Sequence, residues 1–205
     1  MRRITRLLAT TALALGLVAT AAVDARAGTT YTPAGGPSVR LVGTSIDITD
    51  VPAGQQYHCT QFDVAGQVDQ AGTARAFGSA ALDLGALTSA CTNPVMGHVT
   101  ITVDPAWTLD VTGPATGTTW PARLSGVSMR IVGAACDLRF TGSVPGSFDT
   151  STQRFTPTTS ASTMAVTSAT GSFCVNLDFQ PGDQVVLSGY FTNVPPSGST
   201  PLSLS

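Results

Sequence analysis

Cys136-Asp-Leu-Arg-Phe-Thr-Gly-Ser-Val144 opens, and Gly171-Ser-Phe-Cys174-Val-Asn-Leu177 closes, the stretch around which this chain is organised. An earlier stretch echoes it, with Cys59-Thr-Gln-Phe-Asp-Val-Ala-Gly-Gln-Val68 as the opening and Thr88-Ser-Ala-Cys91-Thr-Asn-Pro94 as the close. In both, Gly-x-Val follows the first cysteine after six or seven positions, and the cysteines lie 32 and 38 residues apart. Four cysteines permit three connectivities. The repeat favours Cys59 with Cys91 and Cys136 with Cys174, giving two disulfide-stapled β-units. Each closure stabilises the fold by about 3–4 kcal/mol on the chain-entropy estimate.

Composition points the same way. The 205 residues include no Lys and no Glu, both strong helix formers, and are rich in Thr, Ser, Val, Gly and Pro. The same absence removes Schiff-base chemistry, a phosphate-cradling lysine loop and the usual glycosidase acid. Met1-Arg-Arg-Ile-Thr-Arg6 is a basic start, residues 7–23 form an apolar run, and Ala25-Arg-Ala27 has the small-x-small form of a cleavage site. Residues 1–27 are therefore expected to be a signal peptide of the Sec type, with the mature protein secreted or held at the cell surface. No later apolar run has the length of a membrane helix. From residue 28 onward six Arg face eleven Asp, a formal charge of −5 with His neutral. Without a basic cluster, neither nucleic acid nor an anionic membrane is an expected partner.

Working outward from the cysteine units, Val99, Ile101 and Val103 alternate with His98, Thr100 and Thr102, and Trp107, Leu109 and Val111 continue that period as a hairpin partner. This phase points Trp107 into the core. Further strands are read over residues 38–49, interrupted at Gly43, and over 57–68, 75–84, 123–132, 136–144, 161–170, 173–179 and 185–194. In 57–68, Phe62 and Val64 take one face and Cys59 the other. Residues 85–90 are read as a helical turn and 145–160 as a long loop. The spacing predicts an all-β, antiparallel two-sheet β-sandwich of the jelly-roll or Ig-like kind, with a closed β-barrel as the alternative, since strand order is not written in the periodicity. The expected organisation is an N-terminal arm at 28–37, one sandwich domain at 38–194 and a flexible Pro/Ser tail at 195–205.

No constellation of residues carries catalysis outright, and no catalytic residue is assigned. His58 and His98 are the only histidines, and neither sits at metal-ligand spacing with another ligand, so no metal site is assigned from them. A hydrolase using Ser or Asp with His58 or His98, oriented by Asp63 or Asp104, is the enzymatic alternative, though no Gly-x-Ser-x-Gly elbow is present. Asp47-Ile-Thr-Asp50, Asp149-Thr-Ser-Thr152 and the Asp178 to Asp183 turn read first as turn-forming aspartates and second as calcium ligands. Calcium is the one cofactor the sequence leaves open. Trp120, beside Pro121, and Tyr190 are the candidate ligand contacts. Residues 145–160 are the one stretch that a protease-inhibitor reading would use.

The Cys91-Thr-Asn-Pro, Trp107-Thr-Leu-Asp-Val-Thr-Gly and Cys136-Asp-Leu-Arg-Phe-Thr-Gly-Ser-Val segments resemble those of small uncharacterised secreted β-proteins of high-GC Gram-positive bacteria. In Cys and Gly spacing the paired units are also similar to secreted activator proteins of bacterial alkane oxidation. That likeness implies an extracellular role near an apolar surface and carries over no functional motif. The functional expectation is a non-enzymatic structural or binding protein whose partner is an envelope glycan, a surface protein or an apolar ligand.

Overall fold

An open sheet of alternating strands leaves two unpaired edges, and this chain removes both by closing on itself. The computed structural model describes residues 29–103 and 107–205, so the expected signal peptide lies outside the described residues. In chain order the strands are β1 Thr30–Tyr31, β2 Pro33–Gly36, β3 Ser38–Gly43, β4 Ile46–Asp50, β5 Gln55–Val68, β6 Arg75–Ala76, β7 Ala80–Asn93 and β8 Gly97–Val103. They continue with β9 Trp107–Val111, β10 Thr119–Gly133, β11 Cys136–Asp149, β12 Arg154–Pro157, β13 Met164–Thr170, β14 Gln184–Ser188, β15 Phe191–Asn193 and β16 Thr200–Leu204. Among the described residues helix is confined to a 3-10 turn at Thr159–Ala161 and to α1, Ser172–Asn176.

The pairings resolve into eight antiparallel staves in sequence order. Four are single long strands, β5, β7, β10 and β11, and four are broken in two, β3/β4, β8/β9, β12/β13 and β14/β15. Closure comes where the last stave returns to the first, with Val185 opposite Asp50 and Asn193 opposite Leu41. The structure is thus the closed barrel, and the preferred two-sheet sandwich is corrected. Inward and outward residues alternate identically in both architectures, so periodicity did not separate them.

An eight-stave barrel is just wide enough for side chains to fill it. Here Phe62, Trp107, Phe140, Phe148, Phe155 and Phe191 are buried together with Leu41, Ile46, Leu82, Leu109, Ile131 and Val144. Phe191 meets Phe62 edge-on at 6.0 Å between ring centroids and Phe155 at 6.4 Å. Trp107 is buried, as its phase predicts, and its Nε1 donates to Ser128 O at 3.2 Å. The first stave breaks at Gly43 because a Cβ there would lie 2.7 Å from Ile46 Cγ1 and 2.8 Å from Phe62 O, so only glycine lets the bent strand approach.

Both predicted disulfides are present, Cys59–Cys91 and Cys136–Cys174. Cys59 and Cys91 are direct register partners on adjacent staves. A register shift between Cys59 and Gln61 reverses the alternation, so Cys59 points inward with Phe62 and Val64 and not to the opposite face. Three further expectations are corrected. Residues 85–90 belong to β7, where Ala86 to Ala90 are register partners of Ala65 to Gln61 on β5, and that ladder holds them extended in place of a helical turn. The expected loop at 145–160 is the end of β11, a tight turn and β12. The second cysteine strand, 173–179, is instead α1 and its exit: Phe173, Cys174 and Leu177 face the protein at helical spacing while Val175 faces solvent.

The terminal segments are not loose. Thr200–Leu204 pairs antiparallel with Pro33–Gly36, burying Leu202 and Leu204. Residues 29–37 and 195–205 therefore form a lid together, which composition alone hides because each half lacks a partner until these distant segments meet.

Candidate functional site

The connections of an up-and-down barrel fall alternately at its two ends, and here the two ends differ in chemistry. One end carries the turns at 51–54, 94–96 and 133–135 and the segment 171–183. Each presents an apolar side chain to solvent: Val51 at 49% exposure, Val95 at 57%, Val132, beside the third turn, at 39% and Val175 at 75%. Pro52, Pro94, Ala134 and Ala135 are exposed beside them. Local sequence shapes these tips, since Pro and Gly bound the first two turns and Ala134 and Ala135 take positive φ in the third. A shallow apolar concavity lined by Val132, Gly133, Ala134, Ala135, Thr170 and Gly171 lies on this end. Arg130, two residues from Val132, is held by Asp137 through Nε to Oδ1 at 2.9 Å and Nη2 to Oδ2 at 2.5 Å. That contact keeps the Asp137 carboxyl below its ordinary range.

The floor beneath these tips is the 171–183 segment. The Cys136–Cys174 disulfide fastens α1 to the start of β11, and Phe179 stacks on Tyr57 at 6.2 Å. Tyr57 is buried, which raises its hydroxyl pKa, and the hydroxyl stands 3.5 Å from Met96 Sδ. Asp50 is buried at the same mouth, with Oδ1 accepting the Ala53 N–H at 3.0 Å. Burial, with the fields of Asp183 and Asp178 added, raises the Asp50 carboxyl above its ordinary value.

At the opposite end the turns 69–74, 112–118 and 150–153 are built of Thr, Ser, Gly, Gln, Ala, Asp69 and Pro114, Val194 is the one large apolar side chain exposed beside them, and the two terminal segments lie over them. Gln153 fastens this lid: Nε2 donates to Leu202 O at 2.8 Å, and Oε1 accepts from Leu202 N at 3.0 Å and from Asn193 Nδ2 at 2.9 Å. Tyr31 packs on Phe77 and donates its hydroxyl to Ser79 O at 2.8 Å, and burial pushes its pKa up to about 12. Asp149 accepts from Ser151 N and Oγ and from Thr152 N, bonds that lower its pKa and make it the turn former of the plainer reading.

The sequence candidates are dispersed. His58 lies on the outer face, directly opposite Asp47 on one neighbouring strand and Thr92 on the other; His98 follows Thr92 in the same row. His58 Nδ1 is 2.7 Å from Asp47 Oδ1, a His–Asp couple. The couple sits on convex sheet whose backbone N–H groups are committed to the ladder, so that surface offers no oxyanion donors. None of the three principal concavities contains either histidine. Asp63 is bound by Arg40 at 2.7 Å and Gln61 at 2.8 Å and does not reach a histidine; Asp104 lies outside the described residues. Trp120 is half-buried against the core, two staves or more from Tyr190, whose ring is covered on one face by the Arg154 guanidinium at 3.9 Å. The 145–160 stretch is strand and tight turn, unlike the braced loop an inhibitor presents. Of the aspartate segments only Asp50 and the 178–183 turn come together. Among the described residues no three His, Cys or Asp side chains stand at metal-bonding distance, and no helix is long and apolar enough to cross a membrane.

The apolar end was missed in the sequence because each valine sits alone among small turn residues, and only the barrel gathers them. The family described as alkane oxidation protein activator PraA/PraB-like matches residues 1–186. No curated protein and no solved structure matches the chain.

Proposed function

The chain belongs to the alkane oxidation protein activator PraA/PraB-like family, and from that premise we propose that it is an exported, non-enzymatic contact protein whose apolar barrel end adsorbs at an alkane–water interface. The observation that carries this reading is the placement of Val51, Val95, Val132 and Val175 at or beside all four connections of one end, against the single exposed valine, Val194, at the opposite end. The occupant follows from charge. This end carries Asp50, Asp137, Asp178 and Asp183 against Arg139 and Arg130, the latter already engaged by Asp137, so its acidic balance disfavours an anionic membrane and leaves a neutral apolar phase unopposed. Two disulfides and the leader-like residues 1–27 support export, because such bonds persist in oxidising compartments. The filled interior supports contact at the surface over enclosure of a ligand within the barrel.

Burying the exposed part of each valine contributes roughly 1 kcal/mol, so the four together are worth about 4 kcal/mol, near a thousandfold in partition. Purified mature protein is expected to deplete from water onto hexadecane droplets and to lower interfacial tension. Serine at all four positions should abolish this while leaving the melting curve in place. Equal adsorption by the folded tetra-serine variant, or no adsorption by the native chain, ends the reading.

A further inference from the structure

We propose that Asp50, Asp178 and Asp183 form a site for a calcium-class cation that clamps the 171–183 segment to the turn after β4. This goes beyond interfacial adsorption and does not depend on it.

Five described aspartates have no cationic partner, Asp50, Asp83, Asp149, Asp178 and Asp183, and of these only Asp50, Asp178 and Asp183 gather at one mouth of the barrel. Asp63, Asp69, Asp110 and Asp137 are paired with Arg40, Arg75, Arg123 and Arg130, and Asp47 is paired with His58. Asp50, Asp178 and Asp183 have no cationic partner among the described residues, although a carboxylate buried as Asp50 is, at 2% exposure, ordinarily has one. Its Oδ2 is fully buried and makes no hydrogen bond. Asp63 Oδ1 is also unpartnered, but that carboxylate already holds Arg40. A lone buried carboxylate oxygen costs several kcal/mol as an anion unless a cation or a proton compensates it.

Topology brings the other two carboxylates to it. Asp50 is opposite Val185, and the Val51 N–H donates to Gln184 O at 2.9 Å. Asp183 ends the turn that leads into β14, two residues before Val185, and its charge and that of Asp178 are felt at Asp50. Asp183 Oδ2 accepts the Gln180 N–H at 2.7 Å and Asp178 Oδ1 accepts Gln180 Nε2 at 2.9 Å, which leaves the other oxygen of each carboxylate unengaged. Three carboxylates from two elements supply hard oxygen donors of the kind Ca2+ takes, in the irregular geometry it accepts, with backbone carbonyls or water completing the shell. Since no three of these groups already converge, binding draws the 178–183 turn onto Asp50. The clamp would fix the distance between the tips bearing Val51 and Val175.

The test is the thermal midpoint of the oxidised mature protein with Ca2+, with Mg2+ and with EDTA. At a calcium concentration about a hundred times the dissociation constant, a rise of roughly 5–10 °C is expected. Mg2+, which demands a stricter octahedron, should give a smaller one. Asp50→Asn should melt at or above the metal-free native chain and lose the calcium response. Asp183→Asn, on an accessible turn, should lose the calorimetric heat of calcium binding, and serves if Asp50→Asn fails to fold. An unchanged native midpoint in calcium and chelator, or an undiminished calcium response in either variant, overturns the site.

Discussion

At one end of the barrel the chain termini pair into a lid over threonine- and serine-rich turns, whereas at the other a disulfide-bonded helical turn lies under four exposed valines. Both ends solve the same problem, covering the open mouth of a filled cylinder. The terminal lid does so with backbone pairing and the Gln153 amide, and turns Tyr31, Pro33, Leu202 and Leu204 inward. The helical plug turns Phe173, Cys174, Leu177 and Phe179 inward and leaves Val175 out. The difference teaches that exposed valine is not needed for closure at either end, which is why its concentration at one end reads as function.

Breaking the covalent tie of the apolar end is the largest perturbation. Replacing Cys136 and Cys174 with serine removes a closed loop of 38 residues, and about 4 kcal/mol of unfolding free energy is expected to go with it, read by denaturant titration under oxidising conditions. The terminal lid has no such bond, and its anchor is Leu202. Leu202→Ala is expected to cost about 2–4 kcal/mol and to speed proteolysis of the C-terminal strand first. Gln153→Ala leaves the Leu202 backbone groups without their partner and should cost about 1–3 kcal/mol, visible as faster amide exchange at Leu202.

Two aspartates, one at each end, respond to pH in opposite directions. Asp50 has its folded pKa raised above 3.8, so the fold binds its proton more tightly than the unfolded chain does. That contribution is complete below 3.8 and is lost as pH rises through the folded value. Burial sets it first, opposed by the Ala53 N–H bond and reinforced by Asp183 and Asp178, with Tyr57 nearby. Asp149 has its folded pKa lowered by the Ser151 and Thr152 donors, so its contribution is present above 3.8 and is lost as pH falls through the folded value. In metal-free buffer, Asp50→Asn should therefore flatten the part of the stability–pH curve that declines upward from pH 3.8. Asp149→Asn should flatten the part that declines downward from it. Curves that shift in the same sense would remove the contrast. The smallest effect on stability is expected from serine at Val51, Val95, Val132 and Val175, each within about 0.5 kcal/mol, although adsorption to hexadecane changes most there.

Several features were legible before any coordinates. The Gly-x-Val echo behind Cys59 and Cys136 paired the cysteines as the structure does, and the alternation through Val99 to Val111 placed Trp107 inside. The break at Gly43 appeared as two short strands. Other features were not legible, each for a reason. The register shift after Cys59 moved that residue to the inner face, because a bulge is a property of a strand pair and not of one strand. Phe173, Val175, Leu177 and Phe179 alternate as a strand does, yet Gly171 at φ 104° and Asp178 at φ 59° bracket a helical turn fixed by the distant Cys136.

What the sequence alone determined is local and compositional: β over helix from the missing Lys and Glu, and crosslinking from four cysteines, with the leader-like start and the acidic charge giving only the expectations of export and of no nucleic-acid partner. The tertiary structure decided closure, the lid and the two unlike ends. Those rest on contacts between residues far apart in the chain, Asn193 with Leu41, Ser203 with Ala34, Val185 with Asp50. A period of two residues records which face a side chain takes and leaves unspecified which strand will lie beside it.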